Sequence, residues 1–169
     1  MADLETLLTY LTLISVPIGI FYYIMTLNNS RKNQQNQLET RQAQLLMSLY
    51  ETYRSTEFRK QQMMIINQEW IDFEDFWAKY GNESNPDAWA QWWSVAAFFN
   101  GIGVLIKRNL LEISLVEELL SNVTDIMWHR MSQVIFEWRK TIPRQKLREY
   151  EVLHGFEYLY TEMHSRGTI

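Results

Sequence analysis

The chain opens on an uninterrupted apolar stretch, Leu7–Leu27, with no charged residue between Glu5 and Arg31. The uncharged run Thr6–Ser30 spans about 25 residues, which matches a tilted helix crossing the ~30 Å hydrocarbon core of a bilayer. A polar segment, Asn28–Gln37, follows; it is either a linker or a continuation of the same helix, since Gln, Arg and Lys are good helix formers. Apolar residues then recur at helical spacing. Leu38, Leu45, Leu46, Leu49, Tyr50 and Tyr53 predict a helix to Ser55 with one wet face. Phe58, Met63, Ile65 and Ile66 predict a second helix over Glu57–Gln68, with Ser55 or Thr56 capping it. Trp70, Phe73, Phe76, Trp77 and Tyr80 predict a third, ended by Gly81-Asn82.

Asn85-Pro86 opens the next helix, Pro86–Arg108, because Asn caps well and Pro loses nothing at the first helical position. This helix is apolar on nearly all sides from Val95 to Ile106, so it is expected to be central and buried. Asn109 suits a left-handed exit. Ser114-Leu-Val-Glu117 reads as a capping box that starts a helix running to about Lys140, where Pro143 stops it. A final helix is expected over Gln145–Met163. The fold class is therefore all-α: residues 1–30 a transmembrane anchor, 31–39 a polar juxtamembrane segment, and 40–169 a helical domain.

Charge orients the anchor. Arg31, Lys32 and Arg41 follow the run and no Lys or Arg precedes it. The positive-inside bias predicts the N-terminus outside and the domain in the cytoplasm, at the inner membrane. A cleaved signal peptide fits less well, since the start is acidic and no Ala-x-Ala site ends the run. Pro17 is expected to loosen or kink the helix. Thr12, Ser15, Gly19 and Thr26 share one side, which suits close helix–helix approach; alternatively the hydroxyls bond their own backbone.

Composition narrows the function. Of the 169 residues, 47% are hydrophobic and 14% aromatic, ample for a core. The absence of Cys excludes disulfides, thiolate catalysis and zinc ribbons. A net charge of −4 argues against wholesale nucleic-acid coating. The three His show no metal-ligand spacing and no Gly-rich phosphate loop occurs, so neither a metal nor a cofactor is expected.

The block AAFFNGIGVLIKRNLLEISLVEELL, with ETRQAQLLMSLYETY upstream and GFEYLYTEM downstream, resembles an uncharacterised prokaryotic domain family. Its members often join one N-terminal membrane helix to a small helical domain. The resemblance runs from about Thr40 to Met163 and implies fold and anchoring. More loosely, the architecture is similar to the membrane accessory proteins of RNA-targeting CRISPR systems, which assemble into ring-shaped pores and carry a degenerate HEPN-type domain. Ribonuclease versions of that domain use an Arg, four to six residues, then His, a spacing met here by Arg148 and His154. That resemblance implies antiviral defence, with a metal-independent ribonuclease as the enzymatic alternative. Against it, six residues along a helix turn the two side chains about 600° apart.

Two other groups stand out. Arg139, Lys140, Arg144, Lys146 and Arg148 gather five cations without an intervening acid. They suit an anion such as RNA or a lipid headgroup, or else a helix C-terminus and a solvated turn. Trp92 and Trp93 are adjacent, so both cannot face one core. At least one is expected to meet another element, a partner chain or the membrane. Gly101 and Gly103 interrupt a strong helix, best explained by close approach of a neighbour. The sequence thus predicts a non-enzymatic, membrane-anchored protein that works with the bilayer, further copies of itself or a protein partner. A monomeric adaptor is the alternative.

Overall fold

The computed structural model describes residues 3–141 and 152–169, with the backbone alone at 4–12, 14 and 16. The described residues form helices without strands: α1 Leu4–Arg54, α2 Thr56–Asn67, α3 Phe73–Tyr80, α4 Pro86–Lys107, α5 Ile113–Thr141 and α6 His154–Ser165. The chain divides into two compact units, Met1–Ala43 and Gln44–Ile169.

In the first unit the polar segment is not a loop. Asn28–Gln37 is helical, and α1 continues through it, as the good helix formers Gln, Arg and Lys permit. Thr26 and Thr40 turn their hydroxyls onto the carbonyls of Tyr22 and Asn36 at 2.9 and 2.8 Å. Pro17 lies inside the helix. Among the described residues, no helix is long and apolar enough to cross a membrane. Much of the first half of the predicted span lies outside the described side chains.

In the second unit the caps follow local chemistry. Ser55 Oγ accepts from the Phe58 amide at 3.2 Å, and Asp72 Oδ1 from the Asp75 amide at 2.9 Å. Asn85 Oδ1 accepts from the Ala88 amide at 3.2 Å, with Pro86 opening α4. At the far end Asn109 takes φ 56°, and the amides of Asn109 and Leu110 return to Ile106 and Leu105, closing α4 in a left-handed cap.

The core is built around α4. Trp92, Val95, Ala96, Phe99 and Ile102 are fully buried at three- and four-residue spacing, the central helix the apolar pattern predicts. Against it pack Phe156, Leu159 and Met163 of α6, with Phe99 and Phe156 stacked at 4.9 Å. Val116, Leu120, Met127, Met131 and Ile135 of α5 complete the interior, joined by Phe58, Ile65 and Phe76 from the shorter helices.

The closest approach is between α4 and α6. A Cβ on Gly103 would lie 1.8 Å from the Gly155 carbonyl oxygen, and one on Gly155 would lie 2.3 Å from the Asn100 carbonyl oxygen. Asn100 Oδ1 accepts from the Gly155 amide at 2.8 Å. The first-turn amide that α6 leaves open is thus served from another helix. Gly101 has nothing within 4 Å of its added Cβ, so close packing explains Gly103 and not Gly101.

Three expectations need correction. Trp70 precedes α3, because Asp72 caps the helix and fixes its start at Phe73. Ser114-Glu117 is not a capping box. Helix α5 has already begun at Ile113, and Glu117 instead accepts from Arg166 Nε at 2.9 Å and Thr168 Oγ1 at 3.0 Å. The final helix does not run through residues 152 and 153: Leu153 takes φ 55°, and α6 begins at His154. Residues 142–151, including Pro143 and Gln145, lie outside the described residues.

Candidate functional site

His154, the first residue of α6, is half-exposed, with Nδ1 3.9 Å from Glu157 Oε2. The same carboxylate oxygen accepts from a terminal nitrogen of Arg139 at 2.6 Å. Arg139 Nε donates to the Val152 carbonyl at 2.9 Å, and its other terminal nitrogen is buried without a protein partner among the described residues. Arg139 is therefore a strut tying α5 to the entry of α6. Arg148 lies outside the described residues, so its pairing with His154 has no geometry to weigh.

The cationic group divides in the same way. Arg139 is spent on Glu157 and Val152, while Lys140 pairs with Glu137 at 2.6 Å. Arg139 is answered from α6 and Lys140 within its own helical turn, so neither charge is left unmatched at the end of α5. Arg144 and Lys146 lie outside the described residues.

The tryptophan pair separates as the sequence requires. Trp92 is fully buried and Trp93 is 40% exposed. Trp93 still meets another element, lying edge-on to Trp138 of α5 at 5.5 Å and beside Trp89 at 6.4 Å. Its environment is thus supplied largely within the chain.

On α1, Ser15 and Gly19 occupy exposed positions, and Gly19 has open space around an added Cβ. The Thr12 side chain lies outside those described. Among the described residues no group of three or more His, Asp and Glu could hold a metal ion. His129 bonds back to Asp125 at 3.0 Å, and His164 stacks on Tyr160.

A depression that the sequence pattern did not suggest lies between the loop after α2 and the middle of α5. Glu69, Trp70, Ile71, Lys79 and Arg130 line it, and its volume is about 480 Å³. The loop is braced from α3. Asp75 Oδ2 accepts from the Ile71 amide at 3.0 Å and from Lys79 Nζ at 2.8 Å, and Lys79 also donates to the Glu69 carbonyl at 3.3 Å. Trp70 packs edge-on against Phe76 and Tyr80. Arg130 lies over the Trp70 ring at 4.2 Å and donates its Nε to the Ile65 carbonyl at 3.2 Å. Ile71 stands 89% exposed on this braced loop. Trp70 hid the site from sequence reasoning by fitting the helical repeat of α3, and Arg130 carries no local motif.

The brace is electrostatic. The Lys79 hydrogen bond, and then the Ile71 amide, hold the Asp75 carboxyl below the usual carboxylate range. The Asp75 hydrogen bond holds the Lys79 ammonium above its usual value. The Asp75 contribution is present above the ordinary carboxylate pKa and is lost as pH falls through the lowered native value. That of Lys79 is present below the ordinary lysine pKa and is lost as pH rises through the raised one. The Ile71 amide resonance is therefore expected to hold steady from about pH 5 to 9, to move in acid below an ordinary Asp pKa of about 3.9 as Asp75 is protonated, and to move less in strong alkali as Lys79 loses its proton. Asp75→Asn should displace it at neutral pH; an NMR titration reads both.

Comparison with protein-family models, curated proteins and solved structures finds no match for this chain.

Proposed function

We propose that this is a single-pass membrane protein whose helical domain faces the cytoplasm and which acts by assembly at the bilayer. The observation that carries the reading is the run Thr6–Ser30. Six consecutive residues, Ile20 to Met25, are each at least 50% exposed. Consecutive residues point 100° apart on a helix, so together they sample every direction around it. Over Ile20–Met25 this uncharged surface has no covered side among the described residues, and such a surface calls for lipid or neighbouring helices around it. Arg31 and Lys32 supply the cytoplasmic flank.

Self-assembly is supported by the open space at Gly19 and by the exposed position of Ser15 along the same helix. The polar segment carries Asn and Gln with few charges, so copies can lie side by side with little repulsion. By its resemblance to pore-forming accessory proteins, the assembly is assigned a role in antiviral defence.

Gly19→Leu separates this reading from a monomeric adaptor. An added Cβ meets nothing within 4 Å among the described residues of one copy, so the substitution acts mainly where a neighbouring helix packs closely. Detergent-solubilised protein is expected to run as a multimer in light scattering, and Gly19→Leu to shift it towards monomer. A monomeric wild-type chain, in mild detergent and in lipid nanodiscs, would favour the adaptor.

A further inference from the structure

We infer that the depression lined by Trp70, Ile71 and Arg130 binds a carboxylate carried beside an apolar group. The inference does not depend on how α1 meets the membrane.

Arg130 is the anion-recognising element. Its guanidinium plane is fixed on one face by Trp70 and along one edge by the Ile65 carbonyl. Nε is engaged, and among the described residues no carboxylate forms an ion pair with Arg130. The two terminal nitrogens remain as a planar fork, the geometry that receives both oxygens of one carboxylate. Because the plane is already held, little side-chain freedom is lost on binding.

The charges around the fork select the anion. Lys79 is matched by Asp75 at 2.8 Å, and Glu69 adds one negative charge to the lining beside the positive charge of Arg130. The lining and its brace are thus close to neutral overall, which suits a singly charged carboxylate and disfavours a doubly charged phosphate. Ile71 supplies the apolar contact. Its amide is tied to Asp75, so its side chain is held out in water by a braced loop. An apolar group of the ligand can cover Ile71 and the Trp70 ring edge while its carboxylate meets Arg130. A partner's C-terminal residue and a free small carboxylic acid both offer this chemistry.

Isothermal titration of the full chain in detergent micelles tests it with three probes: N-acetyl-leucine, its uncharged amide, and inorganic phosphate. N-acetyl-leucine is expected to bind saturably, and the amide and phosphate to bind more weakly by about tenfold or more. Arg130→Gln should weaken the acid about tenfold, and Ile71→Ser should weaken it several-fold. Ile71 is so exposed that its replacement leaves the fold intact even where loss of Arg130 perturbs the loop. Equal binding of the amide or of phosphate, or unchanged affinity in Ile71→Ser, would overturn the site. A short peptide ending in a free leucine carboxylate identifies the source. Tighter binding than N-acetyl-leucine supports a partner's chain terminus, and equal binding supports a free acid.

Discussion

Gly103→Ala is expected to destabilise the domain by about 3 kcal/mol, the upper part of the usual range for overpacking. The new methyl group would meet the Gly155 carbonyl oxygen at 1.8 Å, and that obstacle is backbone. No rotamer change relieves it; α4 and α6 must separate. Separation also stretches the 2.8 Å bond from the Gly155 amide to Asn100 and loosens the Phe99–Phe156 stack. Gly101→Ala, two residues away in the same helix, provides the control. Its methyl group meets nothing, so removing backbone freedom should stabilise by up to ~1 kcal/mol. Thermal unfolding followed by near-ultraviolet circular dichroism should show the two melting temperatures on opposite sides of wild type. Equal shifts would contradict the contact between the two glycines.

Trp92→Ala should cost about 3–5 kcal/mol, as large aromatic truncations in a core do. The indole is fully buried, stacked at 7° on Trp89 with 5.1 Å between centroids, and 6.0 Å from Phe76. Its removal leaves a cavity where α3 meets α4. Trp92→Phe should be much milder, about 1–2 kcal/mol, because the indole Nε1 is buried without a hydrogen-bond partner among the described residues. Replacing it removes an unpaired donor along with some volume. Denaturant midpoints of the two variants check the difference. If Phe costs as much as Ala, the indole nitrogen has a partner, such as an enclosed water.

The elements legible in the sequence are those whose cause is local. Ser55, Asn85 and Asn109 punctuate helices through chemistry confined to one turn. Adjacency alone separates buried Trp92 from partly exposed Trp93. The apolar girth of α4 marks it as central before any contact is known. What stayed hidden depends on distant partners. The partners of Glu117 are Arg166 and Thr168 at the other end of the chain, so a correctly spaced Ser-x-x-Glu misleads. Leu153 has no side chain that announces a left-handed turn; the sequence clue beside it is Gly155, whose role appears only against Gly103. Arg130 becomes informative when Ile65 and Trp70 are brought beneath it. Arg139 looks like one member of a basic patch until Glu157 and Val152 are seen to hold it.

The natural absence of Cys makes the central claim directly measurable. Asp3 and Ser165 are both exposed near opposite ends of the chain. Single Cys variants, Asp3→Cys and Ser165→Cys, can be challenged in intact cells with a membrane-impermeant maleimide. A spanning α1 with the positive-inside orientation predicts labelling of Asp3→Cys from outside. It predicts labelling of Ser165→Cys only after permeabilisation, with both variants remaining in the membrane through alkaline extraction. Protection of both positions in intact cells, with release of the chain by alkali, would contradict a membrane-spanning anchor.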